Sequence, residues 1–314
     1  MKLALLFPGQ GSQRVGMGNA LARDYAVARQ VFEEADEVLG FNLQKLCFEG
    51  PEEELRLTIN TQPAILTVSA AALRVFEAEC RITPELAAGH SLGEYGALVA
   101  AGAISFADAV RAVRERGRLM QEVCPAGQGA MAALIGLDLA AVKALCEEVS
   151  TGGEIAVAAN INAADQVVIS GHAGPVRRAL AIAKERGARA STELNVSAPF
   201  HSPLMAPARD GMAPLLDQIK FADLRFGVIA NITAQVNRSG ENARSLLLDQ
   251  ITGPVRWEES MRLIVSQGVD TAIELGPGRV LAGLMRRIDR NLKVHSSEEP
   301  AALQVAIAAV SSSA

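Results

Sequence analysis

Residues 85–93 read Glu-Leu-Ala-Ala-Gly-His-Ser-Leu-Gly, a short apolar run that delivers a serine between two glycines, Gly89 and Gly93. The run fits a strand, and the small residues of 93–102 that follow fit a helix, so Ser91 falls at a sharp strand-to-helix turn. That is the context of a nucleophile elbow, in which neighbouring glycines let the backbone turn without side-chain clashes. An elbow serine also sits at a helix N-terminus, where free N–H groups and the dipole favour an oxyanion. The same five residues equally fit a plain turn with Ser91 as an N-cap.

Outward from this turn the chain alternates strands and helices, the rhythm of an α/β fold. Residues 3–7 are a continuous apolar run closed by Pro8-Gly9, as expected for a strand buried on both faces of a parallel sheet, and lead into the glycine-rich turn 9–13. Helical spacing follows at 27–39 and 64–76, and residues 270–275 form another apolar strand ending in Gly276-Pro277-Gly278. Between 127 and 197 the rhythm changes. Strands are expected at 130–135, 155–161, 166–170 and 189–196, with helices at 139–149 and 175–186. That order, βαββαβ, is a ferredoxin-like unit. It predicts a discontinuous catalytic domain, 1–126 and 198–314, interrupted by a small subdomain at 127–197, with a frayed tail at Ser311, Ser312 and Ser313.

Composition narrows the function. The 314 residues are 49% hydrophobic and 21% charged, ordinary for a folded protein. The net charge of −5 and only twelve aromatics argue against a general nucleic-acid or membrane-surface binder. Cys47, Cys80, Cys124 and Cys146 form no C-x-x-C pair, and His90, His172, His201 and His295 form no H-E-x-x-H pair, so no metal site is signalled. The run 3–7 is too short for a secretory signal and no segment approaches a membrane span, so a cytoplasmic protein is expected. The turn at 9–13 departs from a dinucleotide fingerprint, with Arg14 where the third glycine would stand.

Three ordered segments carry a resemblance. Residues 7–13 (F-P-G-Q-G-S-Q), 89–95 (G-H-S-L-G-E-Y) and 198–205 (A-P-F-H-S-P-L-M) resemble the malonyl-CoA:acyl carrier protein transacylase family. T-Q-P-A at 61–64, R-G-R-L-M-Q at 116–121, G-A-M-A-A at 129–133 and E-L-G-P-G at 274–278 extend the likeness over nearly the whole chain. The resemblance implies an α/β-hydrolase-like core with an inserted ferredoxin-like subdomain, in agreement with the pattern read above.

A serine nucleophile needs a base within hydrogen-bond reach, and histidine suits that work at neutral pH. His201 lies in a proline-flanked loop; His172 and His295 stand in charged surroundings, and the His90 side chain should point away from that of Ser91. A structural histidine is the alternative for His201, and the resemblance makes it the base. Its partner is then a backbone carbonyl, at the position of Gln250.

A malonyl group ends in a carboxylate, which when buried calls for an arginine. On the helix expected at 106–123, Phe106, Val110, Val113, Gly117 and Met120 form the apolar stripe, and the wheel leaves Arg114 and Arg116 equally placed on its two flanks. Gly117 in mid-helix hints at close packing. The family's carboxylate-binding arginine immediately precedes that glycine, which selects Arg116. The resemblance further implies an oxyanion hole from the backbone N–H groups of Gln10 and Leu92, and Gln62 near the acyl pocket. Phe200 and Leu92 match malonyl-selective members, in which bulk disfavours a branched acyl group.

The implied reaction is ping-pong transfer of malonyl from malonyl-CoA to the phosphopantetheine thiol of acyl carrier protein, with no bound metal or cofactor. The rivals are a serine esterase or thioesterase and an acyltransferase serving a polyketide synthase in trans; a free-standing chain favours fatty acid biosynthesis, and a monomer is expected. An acidic carrier should meet a basic patch, either Arg177, Arg178, Lys184, Arg186 and Arg189 or Arg286, Arg287, Arg290 and Lys293.

Overall fold

The run Leu3–Phe7 is a strand buried at all five positions, with Leu3, Leu5 and Phe7 in one apolar core and Ala4 and Leu6 in a second core on the opposite face. This two-sided burial is why the strand shows no polar alternation. The computed structural model describes residues 1–124, 127–196 and 198–311; Ser312 and Ser313 of the expected frayed tail, and residues 126 and 197 at the expected subdomain limits, lie outside them. Ten strands occur among the described residues: β1 Leu3–Phe7, β2 Leu86–Gly89, β3 Gly129–Ile135, β4 Ala156–Ala163, β5 Gln166–His172, β6 Ala190–Glu193, β7 Gly227–Ile229, β8 Val236–Asn237, β9 Thr271–Glu274 and β10 Lys293–Ser296.

They form two sheets. The first runs β10-β9-β1-β2-β7-β8, parallel except for β8, which closes one edge as a hairpin with β7. The second, β4-β5-β3-β6, is antiparallel throughout, the sheet of a βαββαβ unit. Alternation along β3 sends Ala130, Ala132 and Leu134 into a separate core beneath the helices Leu139–Val149 and Ala173–Ala183, while Met131 joins the main core. The two sheets share no strand; the small sheet is tied to the segment before the Trp257–Ser266 helix by backbone bonds from Ile161 N–H to the Val255 carbonyl (2.9 Å) and from Val255 N–H to the Ala159 carbonyl (2.8 Å).

The sequence-based boundaries differ most at the helix expected at 64–76, which spans Thr58–Glu79, and at β6, which ends at Glu193 rather than 196. Leu194 still donates its N–H to the Met131 carbonyl of β3 (2.8 Å), and the chain then turns, Val196 N–H donating to the Leu194 carbonyl (2.9 Å); the side chains of both residues line a cavity. Cys47, Cys80 and Cys146 are buried thiols. His172 is half-buried rather than a surface residue, because its Nδ1 accepts from the Ile155 N–H (3.0 Å). No helix of the described residues is long and apolar enough to cross a membrane.

Glu274, the last residue of β9, is fully buried and caps the helix Val280–Ile288, accepting from the N–H groups of Leu281 (3.0 Å) and Ala282 (2.9 Å). Burial pushes its carboxyl up to about 7 against those two donors. The folded state therefore favours the protonated form, and its stabilising contribution is lost as pH rises from the ordinary carboxylate range through about 7. Between pH 5 and 8 the stability of the native chain relative to Glu274→Gln should fall by about 2–3 kcal/mol, as measured by urea denaturation. A difference that is constant with pH would contradict this.

Candidate active site

The turn after β2 is built by close approach. A Cβ on Gly89 would lie 1.9 Å from the backbone of Gly93, and one on Gly93 would lie 2.1 Å from the Phe7 carbonyl oxygen, so both positions exclude side chains. The helix Gly93–Ala100 thus starts directly against β1 and β2. Ser91 at the apex holds φ 52°, the left-handed region in which non-glycine residues are strained. The strain is held by hydrogen bonds at both ends of the residue. Its N–H donates to Asn231 Oδ1 (2.7 Å), and its carbonyl accepts from Gln250 Nε2 (2.9 Å).

His201 reaches this serine from the other side of the small sheet's segment of chain. Its Nε2 lies 2.7 Å from Ser91 Oγ, and its Nδ1 faces the carbonyls of Gln250 (2.9 Å) and Gly253 (3.2 Å). Carbonyls only accept, so the ring proton belongs on Nδ1 and Nε2 is left to accept from the serine hydroxyl. His201 also holds a positive φ, 58°, and is buried. Burial, reinforced by the nearby Arg116 charge, depresses its pKa to about 3, so the ring is neutral at physiological pH.

Arg116 lies inside the buried stripe of the helix Phe106–Glu122 rather than on its flank, with 1% exposure. The reason is Gly117, where a Cβ would lie 2.6 Å from the Thr58 carbonyl; this lets the Thr58–Glu79 helix close over the preceding residue. Arg116 Nη1 donates to Gln62 Oε1 (2.8 Å), while Nη2 donates to Gln250 Oε1 (2.8 Å) and Ser91 Oγ (3.2 Å). Its Nε is buried without a partner, and among the described residues no carboxylate pairs with it. Burial lowers its pKa. Arg114 instead bonds Ile59 and Asn60 and lies over the Phe41 ring at 4.5 Å, half-buried and away from the serine.

Ser91, His201 and Arg116 line a cavity of about 90 Å³ together with Gln10, Gln62 and Phe200. Leu92, the N-cap of the elbow helix, is buried, and among the described residues neither its backbone N–H nor that of Gln10 meets an acceptor. The Gln10 side chain donates to Thr58 Oγ1 (3.3 Å) and the Gln62 side chain to the Met120 sulfur (3.8 Å). All eight residues nominated from the sequence are therefore in or beside one cavity at the carboxyl edge of the parallel strands, where open α/β sheets bind ligands. No cluster of three or more His, Cys, Asp or Glu able to hold a metal occurs among the described residues.

Four residues were missed. Asn231, just beyond β7, ties Ser91 to the elbow strand by donating to the Gly89 carbonyl (2.7 Å). Glu94 accepts from Asn231 and Gln250. Asn160 presents a buried, unpartnered Oδ1 to the cavity wall, and Asn162 Oδ1 lies 2.8 Å from His90 Nε2. Glu94 stands inside the quoted motif, but only its burial reveals its partners; the asparagines carry no sequence signal.

Comparison with known proteins agrees with this geometry. Residues 4–305 match the acyl transferase domain family. The malonyl CoA-acyl carrier protein transacylase of Bacillus subtilis (strain 168) is 48% identical over 306 residues, 98% of this chain and 96% of that protein. The chain belongs to the malonyl-CoA:acyl carrier protein transacylase family. Within the family, the Escherichia coli K12 transacylase is 44% identical over 98% of this chain and 99% of its own. The transacylase structure from Coxiella burnetii superposes with a TM-score of 0.96 at 40% identity, covering 98% of this chain and 97% of that one. A malonyl-transacylase solved with its type II polyketide acyl-carrier protein also reaches 0.96, at 44% identity, covering 98% and 100%.

Proposed function

We propose that this transacylase moves the malonyl group from malonyl-CoA to the phosphopantetheine thiol of acyl carrier protein through a malonyl-serine ester. The observation that carries this is a serine–histidine pair sharing one small cavity with a buried arginine that has no carboxylate partner among the described residues.

His201 Nε2 takes the hydroxyl proton as Ser91 Oγ attacks the thioester carbon, and the backbone N–H groups of Gln10 and Leu92 hold the oxyanion. As the tetrahedral intermediate collapses, the C–S bond breaks and the coenzyme A sulfur receives the proton from His201. The malonyl carboxylate rests on the Arg116 guanidinium, which Gln62 and Gln250 hold in place through amide oxygens. In the second half the carrier's thiol gives its proton to His201 and attacks the ester carbonyl; the C–O bond breaks and Ser91 regains its proton. The Gln250 carbonyl orients the imidazole throughout.

Phe200 lines the cavity, and its bulk, with that of Leu92 next to the serine, disfavours a branched acyl group. The reaction supplies extender units for fatty acid biosynthesis in the cytoplasm and needs no bound metal or cofactor. The same reading divides the chain into a catalytic part, 1–126 and 198–314, and an insert, 127–197, a division supported by the two separate sheets. Of the two basic clusters, the one on the insert is largely neutralised, since Arg177, Arg178, Arg186 and Arg189 each pair with an acid. Arg286, Arg290 and Lys293, beside a groove of about 610 Å³, have no acidic partner among the described residues and fit an acidic carrier better.

Incubation with malonyl-CoA and holo-carrier protein should give malonyl-carrier as the main product. Free malonate formed at the same rate with or without the carrier would instead identify a thioesterase.

A further inference from the structure

Glu94, in the first turn of the helix Gly93–Ala100, is 2% exposed, and the proposed reaction leaves it unused. Its Oε2 accepts from the Asn231 N–H (3.1 Å) and from Gln250 Nε2 (2.8 Å). The other hydrogen of that amide goes to the Ser91 carbonyl (2.9 Å), and the amide oxygen accepts from Arg116 Nη2 (2.8 Å).

A buried amide can occupy such a site in two orientations, and its neighbours decide between them. In the orientation observed every contact is donor to acceptor. Flipped, the NH₂ would meet the Arg116 N–H, and the amide oxygen would meet the Ser91 carbonyl and the Glu94 carboxylate. Among the described residues Glu94 supplies the only full negative charge in this choice, and in a buried site an unmatched polar contact is costly. The same carboxylate holds the backbone of Asn231, whose side chain grips the elbow on both sides of the turn.

We infer that Glu94 is a positioning residue for acyl selection: its carboxylate fixes the orientation of the Gln250 amide and, through it, the Arg116 guanidinium that receives the malonyl carboxylate. The inference rests on the role proposed for Arg116. Of the groups around Glu94, Gln250 and Asn231 are uncharged, Arg116 stays cationic, and Tyr95, on the same helix, is pushed up to about 12. Burial raises Glu94 itself to about 7. Across pH 6–8 it is therefore the member of this network that changes charge.

The experiment compares kcat/KM for malonyl-CoA with that for acetyl-CoA, a ratio in which ionisations of coenzyme A and the accepting thiol cancel. In the native enzyme the malonyl preference should fall about threefold or more as pH is lowered from 8 to 6, as Glu94 takes up its proton. Glu94→Gln should lower the preference about tenfold at pH 8 and make it independent of pH. In an Arg116→Ala background, adding Glu94→Gln should change the ratio no further, because the group it positions is gone. If Arg116→Ala lowers the preference but Glu94→Gln leaves it within twofold, or lowers it additively in both backgrounds, the inference is overturned. If Arg116→Ala itself leaves the preference intact, the assignment of Arg116 fails instead. Should Glu94→Gln not fold, the native pH series decides, and a ratio flat from pH 8 to 6 overturns the inference.

Discussion

His201→Ala is expected to slow formation of the malonyl-enzyme by about 10³- to 10⁴-fold. The imidazole is the group placed to accept the Ser91 proton, at 2.7 Å, and its pKa of about 3 keeps it unprotonated at every physiological pH. The other side chain on Ser91 Oγ is Arg116, which can only donate. Removing the ring leaves the N–H groups of Gln10 and Leu92 and the carboxylate partner intact, so the loss should appear in kcat with little change in KM for malonyl-CoA. Rapid-quench measurement of the acylation step checks this. Acylation within tenfold of the native rate would mean that another group activates the serine.

The second large effect is on substrate choice. Arg116→Ala should reduce kcat/KM for malonyl-CoA by about 10²-fold or more while reducing that for acetyl-CoA much less, since truncating one partner of a buried, hydrogen-bonded charge pair costs about 2–5 kcal/mol. Without substrate, Arg116 is a buried cation with an unpartnered Nε and amide oxygens in place of a carboxylate. Such a group contributes less to folding than a directly paired charge, because the nearby Glu94 carboxylate is linked to it only through the Gln250 amide. The variant should therefore keep a thermal midpoint close to the native one. Equal losses with both acyl groups, or a large fall in the midpoint, would assign Arg116 a structural role.

The parts of the molecule legible in sequence are those set by local physics. Leu3–Phe7 announces a two-sided strand by its unbroken apolar run, and Gly89 and Gly93 announce the elbow because no side chain fits between the crossing backbones. The βαββαβ order of the insert follows from period changes within single segments. What local pattern could not decide was the choice between Arg114 and Arg116. A helical wheel fixes the angle between two residues but not what the neighbouring helix does, and here the contact of Gly117 with Thr58 buries one arginine and leaves the other beside Phe41. The Glu94–Gln250–Asn231 network was invisible for a related reason. Its members come from three distant segments that meet only because β2, β7 and the Gly240–Thr252 helix end at the same edge. The hairpin strand β8, two residues long, is too short to carry any period.

Mass spectrometry of the intact protein and its peptides after brief exposure to malonyl-CoA shows whether Ser91 carries the acyl group between the two half-reactions. One malonyl group per chain is expected, located on Ser91, stable in the absence of acceptor and removed on adding holo-acyl carrier protein, with the malonyl mass recovered on the carrier. An unmodified Ser91, or an adduct on it that the carrier cannot discharge, would contradict that role of the serine.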